Sequence, residues 1–179
     1  MPRAVAICGC FLALLLIGSC KQYEEYPIEP FIGYEGFTLL TNPQSGITDR
    51  GVIKFSFTDG DGDLGFLASD STLFYQYNLF VTYLECDNGV WREIALTTYN
   101  PSTQKMDTVN LHARLPYLTP SGDQKGIHGF VYDTLPVYHY QSAADTIKFE
   151  FFIKDRAQHQ SNTLQTEPVF IKKHLNPLD

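Results

Sequence analysis

Basic charge is scarce in this chain of 179 residues: 13 Lys and Arg stand against 20 Asp and Glu, a formal net charge of -7. Nucleic acid is therefore a poor partner, because neutralising phosphates needs a basic footprint. The length gives one domain of ordinary size and leaves no room for two large ones. Only four cysteines are present, with no CxxC pair and no Cys/His cluster, so the usual zinc signatures are missing. No internal repeat recurs, which removes solenoids and propellers. There is no GxSxG elbow and no GxxxxGK[ST] phosphate loop. The five histidines, His112, His128, His139, His159 and His174, include no i, i+4 pair for a metalloprotease helix. These absences lead to the expectation that the protein is not an enzyme. Paired acids of the glycosidase kind leave no local signature, so that chemistry stays open.

Long hydrophobic runs are lacking too, with one exception. Ala4 to Ile17 (AVAICGCFLALLLI) is apolar, follows the positive charge of Arg3 and ends in Gly18-Ser19-Cys20. It is shorter than the roughly 20 residues that span a bilayer as a helix. A positive n-region, a short apolar core and small exit residues read as an export signal, with a permanent membrane helix as the alternative. Ile17-Gly18-Ser19-Cys20 resembles a bacterial lipobox, in which the Cys thiol receives a diacylglyceryl group and becomes the new N-terminus. At ~0.8 kcal/mol per buried CH₂, two or three acyl chains would hold a domain firmly to a membrane.

The expected organisation follows. Residues 1–19 are the signal, 20–36 the lipidated Cys20 and a tether, and 37–179 a single domain. Removing the signal takes Arg3 with it and leaves 160 residues (179 minus 19) with a side-chain charge of -8. Cys8 and Cys10 depart, Cys20 is acylated, and Cys86 alone cannot form an intrachain disulfide, so stability must come from the core. Lys21 with Glu24 and Glu25 loosely resembles the charged signal after the lipidated Cys of surface-exposed lipoproteins in the Bacteroidota. The expected location is the outer membrane or cell surface, with the lipid as the membrane contact.

From Phe37 onward helical periodicity gives way to alternation. Ile53, Phe55 and Phe57 alternate with Lys54 and Ser56, and Ile147, Phe149, Phe151 and Ile153 with residues that include Lys148, Glu150 and Lys154. Tyr77–Cys86 is β-branched and aromatic, and ends at Asn88-Gly89, a strong hairpin signal before Val90–Leu96. Further strands are expected near Phe37–Leu40, over Val109–Leu115 and Ile127–Tyr132, and at Val169–Ile171. About eight strands between Gly, Pro, Asn and Asp clusters predict an all-β fold, an antiparallel β-sandwich, with a closed barrel as the rival. The 14% aromatic content then has a plain use, filling the space between two sheets.

One loop carries chemistry. Asp59-Gly60-Asp61-Gly62-Asp63-Leu64-Gly65 places three carboxylates at alternate positions, where tight turns can converge them on one cation. Ca²⁺ takes 6–8 such oxygens. The spacing matches positions 1, 3 and 5 of an EF-hand loop, with Asp70 at position 12. Yet Leu64 stands where glycine is expected, and a strand precedes the loop. Asp59, Asp61 and Asp63 are the candidate ligands; the alternative is a metal-free Asp-Gly turn. In an Ig-like or fibronectin-III-like sandwich, the loop containing Asp155 would share an end with this one, making Asp155 a fourth candidate. Alternation of strand direction alone does not decide this.

FTDGDGDLG (Phe57–Gly65), LPYLTPSGDQKGIHG (Leu115–Gly129) and IKDRAQHQSNT (Ile153–Thr163) together resemble a family of uncharacterised Bacteroidota surface lipoproteins. That family pairs a DGDGD-type loop with a DRAGN-SN-type loop on an Ig-like sandwich. The resemblance implies fold and location, and supplies no activity. Gln158-His159 stands where the family usually has Gly-Asn. Two roles are then expected: a calcium-stabilised surface accessory or interaction module that contacts envelope proteins, or a glycan-binding lipoprotein of a polysaccharide-uptake system. Aromatic candidates for the second are Trp91, Tyr138 and Tyr140, together with Phe74, Tyr75 and Tyr77. Cross-strand packing is their alternative use.

Overall fold

The computed structural model describes residues 25–70, 76–120, 125–137 and 142–171, and every regular element among them is a strand. The signal, Cys20, Phe74, Tyr75, Tyr138 and Tyr140 lie outside the described residues. Ten strands follow in order: β1 (Phe31–Thr41), β2 (Thr48–Asp59), β3 (Leu79–Asp87), β4 (Val90–Glu93), β5 (Thr97–Asn100), β6 (Lys105–Thr108), β7 (Ile127–Pro136), β8 (Thr146–Ile153), β9 (Leu164–Gln165) and β10 (Val169–Phe170).

One sheet has the order β1-β2-β7 and the other β10-β8-β3-β4, with β9 also pairing with β8. All the ladders are antiparallel, and neither sheet closes on itself, so the barrel is excluded. The chain lays down two strands in the first sheet, crosses to the second, returns for β7 and crosses again. That is the strand order of an Ig-like, fibronectin-III-like sandwich.

Alternation made the sheets face each other. Ile53, Phe55 and Phe57 of β2, Val81 and Tyr83 of β3, and Phe149 and Phe151 of β8 are all buried. Phe55 meets Phe151 at 5.2 Å between ring centroids, and Phe37 meets Phe149 at 5.4 Å, both across the gap between the sheets. The Asn88-Gly89 step turns with φ of 51° and 80°, as a two-residue hairpin of primed type requires.

Three features differ from expectation. First, β1 starts at Phe31, inside the segment expected to be tether, and Ile32 is fully buried. A bulge between Tyr34 and Gly36 shifts the register and erases the alternation by which a strand is recognised. Second, Val109–Leu115 keeps an alternating burial but forms no strand. β4 takes the edge of β3 over Leu84–Asp87, and this segment meets the other end of β3 through an antiparallel bridge between Leu79 and Ala113. His112 Nδ1 accepts from the Val81 amide at 3.2 Å in place of a ladder carbonyl. Third, β5 and β6 form a separate exposed hairpin; with these two and β9 gained and the Val109–Leu115 strand lost, the count is ten where about eight were expected.

Truncating the rings between the sheets should be costly. Phe149→Ala, at a fully buried position, should lose about 3–5 kcal/mol in urea unfolding. Phe170→Ala, at a position 63% exposed, should change stability by no more than about 0.5 kcal/mol.

Candidate metal centre

The inward alternation of β2 does not stop at Phe57. The next inward position is Asp59, the last residue of the strand, and its side chain is completely buried. On the opposing sheet β8 behaves in the same way: Ile147, Phe149, Phe151 and Ile153 are followed two residues later by a completely buried Asp155. β2 and β8 are central strands whose facing rings, Phe55 and Phe151, are in contact. Each therefore delivers a carboxylate to the same end of the core.

Between Asp59 and Gly65 the chain folds back over this end. Gly62 has φ +64° and Gly65 φ +85°, a region that favours glycine. A Cβ on either would run into a carbonyl, of Lys125 and Pro116 respectively. The tight turn brings Asp61 and Asp63 inward, so that Asp59, Asp61, Asp63 and Asp155 each offer an oxygen within 4.8 Å of the others. All four sequence candidates are thus brought together. Asp70 is not among them; its Oδ2 accepts from the Leu67 amide at 2.8 Å and closes a separate turn.

Partners in the protein satisfy only one side of this cluster. The Leu64 amide donates to Asp59 Oδ2 at 3.0 Å and the Ala157 amide to Asp63 Oδ2 at 3.1 Å. His159 holds both oxygens of Asp155, through its backbone amide at 2.8 Å and its Nδ1 at 2.9 Å. Among the described residues, no N–H or hydroxyl donor reaches Asp59 Oδ1, Asp61 Oδ1 or Asp63 Oδ1, although all three atoms are buried. Buried acceptors are almost always paired, so these three mark a place where something positive fits.

The electrostatics agree. Burial pushes Asp59 from the ordinary 3.8 up to about 7, helped by a hydrogen bond with Asp61 and by the charges of Asp61, Asp63 and Asp155. Asp63 is also raised, by burial and then by Asp155 and Asp61, with Arg156 and the Ala157 amide opposing. His159 moves upward because it is hydrogen-bonded to Asp155 and lies in the field of that carboxylate. An all-oxygen, acidic donor set of this kind suits a hard divalent cation better than a soft one.

The second loop contributes residues that spacing did not reveal. Arg156 donates through Nη1 to the carbonyls of Gly65 (2.9 Å) and Leu64 (3.3 Å), and through Nη2 to Thr119 Oγ1. Its guanidinium lies 4.4 Å from the Tyr117 ring centroid. It braces the acidic loop from outside and forms no ion pair with the cluster. Gln158 takes φ +71°, so the left-handed turn that glycine makes easily is held here by a residue with a side chain. Asn162 clips Ile32 of β1 through both backbone groups, at 2.8 and 2.9 Å.

The aromatic candidates lie elsewhere. Trp91 sits opposite Cys86 on the outer face of the five-stranded sheet, half-buried, with Lys148 Nζ 4.5 Å from its ring centroid. No family model, no curated protein and no solved structure matches this chain.

The raised Asp59 sets a pH dependence. Between its ordinary value and about 7, the folded cluster keeps a proton that the unfolded chain has released. The folded state therefore binds more protons, and stability must fall as pH rises through that window. In chelator, urea unfolding should show a less stable domain at about pH 8 than at about pH 5. Asp59→Asn should flatten the slope; stability that rises across the window contradicts the charge crowding described here.

Proposed function

We propose that the protein is a lipid-anchored module of the cell envelope whose Ig-like sandwich is completed by a calcium ion, and which works by contact with other envelope components. The convergence of four carboxylates from two sheets, with three buried oxygens that no N–H or hydroxyl donor among the described residues reaches, carries this proposal. Asp59, Asp61, Asp63 and Asp155 are the residues that would hold the ion. Calcium is preferred because it accepts a crowded, irregular set of oxygens, whereas Mg²⁺ demands near-octahedral geometry and gives up its waters reluctantly.

A cation at this point would link the β2–β3 and β8–β9 loops, and so the two sheets. Cys86 is a free thiol, and an exported domain without a disulfide gains from such a cross-link. The lipobox-like Ile17-Gly18-Ser19-Cys20 and the family resemblance of both loops support the envelope location. Glycan binding through Trp91 draws less support, since Lys148 already covers one face of that ring.

Two measurements test the two halves. Adding calcium to chelated protein should raise Tm by several degrees, because a ligand that binds only the folded state stabilises it. Mg²⁺ should do less, and Asp61→Asn should abolish most of the shift; superimposable melts with calcium and chelator defeat the metal reading. Labelled palmitate fed to expressing cells should mark the wild-type chain and leave Cys20→Ser unmarked.

A further inference from the structure

We propose that the outer face of the three-stranded sheet lies against the membrane surface, with Phe31, Phe130 and Tyr132 among the lipid headgroups and Lys54 between them. The proposal depends on the reading of Cys20 as the lipid-bearing residue.

Its starting point is an inversion in β7. A sheet of this kind normally turns apolar residues inward and polar ones outward. In β7 the inward positions include Gly129 and Asp133, while the two largest side chains, Phe130 and Tyr132, point outward and are 57% and 65% exposed. A slip of one residue would bury both rings, yet the ladder with β2 runs from Arg50–Pro136 to Asp59–Ile127 without a break. Core packing does not account for rings on that side.

The register shows what surrounds them. Across the sheet, Phe130 shares a row with Ser56 and Gly33, and Tyr132 with Lys54 and Gly36. The rings therefore stand above a floor of small residues. Lys54 Nζ lies 4.5 Å from the Phe130 ring centroid and 5.7 Å from that of Tyr132. Phe31, 57% exposed, shares the next row with Thr58 and His128. Aromatic rings around a long-stemmed cation are the chemistry of the membrane–water interface, where rings sit at headgroup level and Lys reaches the phosphates. Glu35, exposed in the bulge of β1 beside Gly36, is on the edge strand opposite β7.

The route of the chain singles out lipid over other partners. The N-terminal segment crosses onto this same face: the Tyr26 hydroxyl lies 3.4 Å from His128 Nδ1 and the two rings pack edge-on at 5.9 Å. Ile28, 51% exposed, is in the same segment. Cys20 lies six residues upstream of Tyr26, a reach of at most about 20 Å when fully extended. Acyl chains on Cys20 would keep this face beside the bilayer.

Hydroxyl-radical footprinting of the full lipidated chain in phosphatidylethanolamine–phosphatidylglycerol vesicles tests this. Flotation of the vesicles first reports anchoring. Labelling of Phe31, Phe130 and Tyr132 should then fall several-fold relative to the Cys20→Ser chain in solution, while exposed Tyr99 and Phe170 stay unchanged. The double substitution Phe130→Ser and Tyr132→Ser, at outward positions, should still float and should return Phe31 to its solution labelling. A chain that floats with all three rings labelled as in solution overturns the docking and leaves the anchor standing. A chain that does not float overturns both. Protection that grows with protein concentration in solution, or that appears only with added polysaccharide, assigns the face to a second copy or a glycan and overturns the proposal.

Discussion

Four carboxylates crowded at the end of a hydrophobic core repel one another unless protons or a cation come between them. The arrangement around them follows from that constraint. Asp59 and Asp155 are fixed by the strands, each at the inward position after an apolar run, and neither can swing out to water without disturbing β2 or β8. Asp61 and Asp63 are brought in by a turn that requires glycine at Gly62 and Gly65. Arg156 then ties the carbonyls of that turn to Thr119 and Tyr117. These contacts brace the cluster, and among the described residues no N–H or hydroxyl donor reaches its centre. A simple Asp-Gly turn would need none of these supports.

Much of this was legible in the residues, for a definite reason. Where a strand has one dry and one wet face, alternation records the fold directly, and β2, β3 and β8 could be read in that way. The approximate place of the acidic loop followed from its spacing. Asp155 was harder, because its nearness to Asp59 depends on which way β8 runs, and a single strand changes that parity. In retrospect a local signal was present: Ile147, Phe149, Phe151, Ile153, Asp155 continues one periodic series and carries an acid past the edge of the core. The same series, ending Phe57, Asp59, occurs on the other sheet.

What could not be read lacked an apolar pattern. β1 is interrupted by a bulge, and its buried Ile32 lies before the interruption. The β5–β6 hairpin is almost wholly exposed. It is organised by Asn100, whose side chain accepts from the Ser102 amide at 3.0 Å and donates to Asp107 at 2.6 Å. Such polar pinning leaves no periodic trace. β7 presents the reverse case, with enough hydrophobicity to be found as a strand but its largest residues on the outer face.

The clip between Asn162 and Ile32 has a mechanical meaning for a chain held at its N-terminus. β1 is an edge strand, and a pull from upstream would begin by peeling it from β2, one hydrogen-bonded pair after another. Asn162 belongs to the loop that leaves β8, on the other sheet, and it grips Ile32 through both backbone groups near the start of that path. If the chain is anchored at Cys20 as proposed, tension from that end would be divided between the two sheets at once. The residue that joins them stands only seven positions beyond Asp155, so the point that bears the load and the point that gathers the acids belong to one loop.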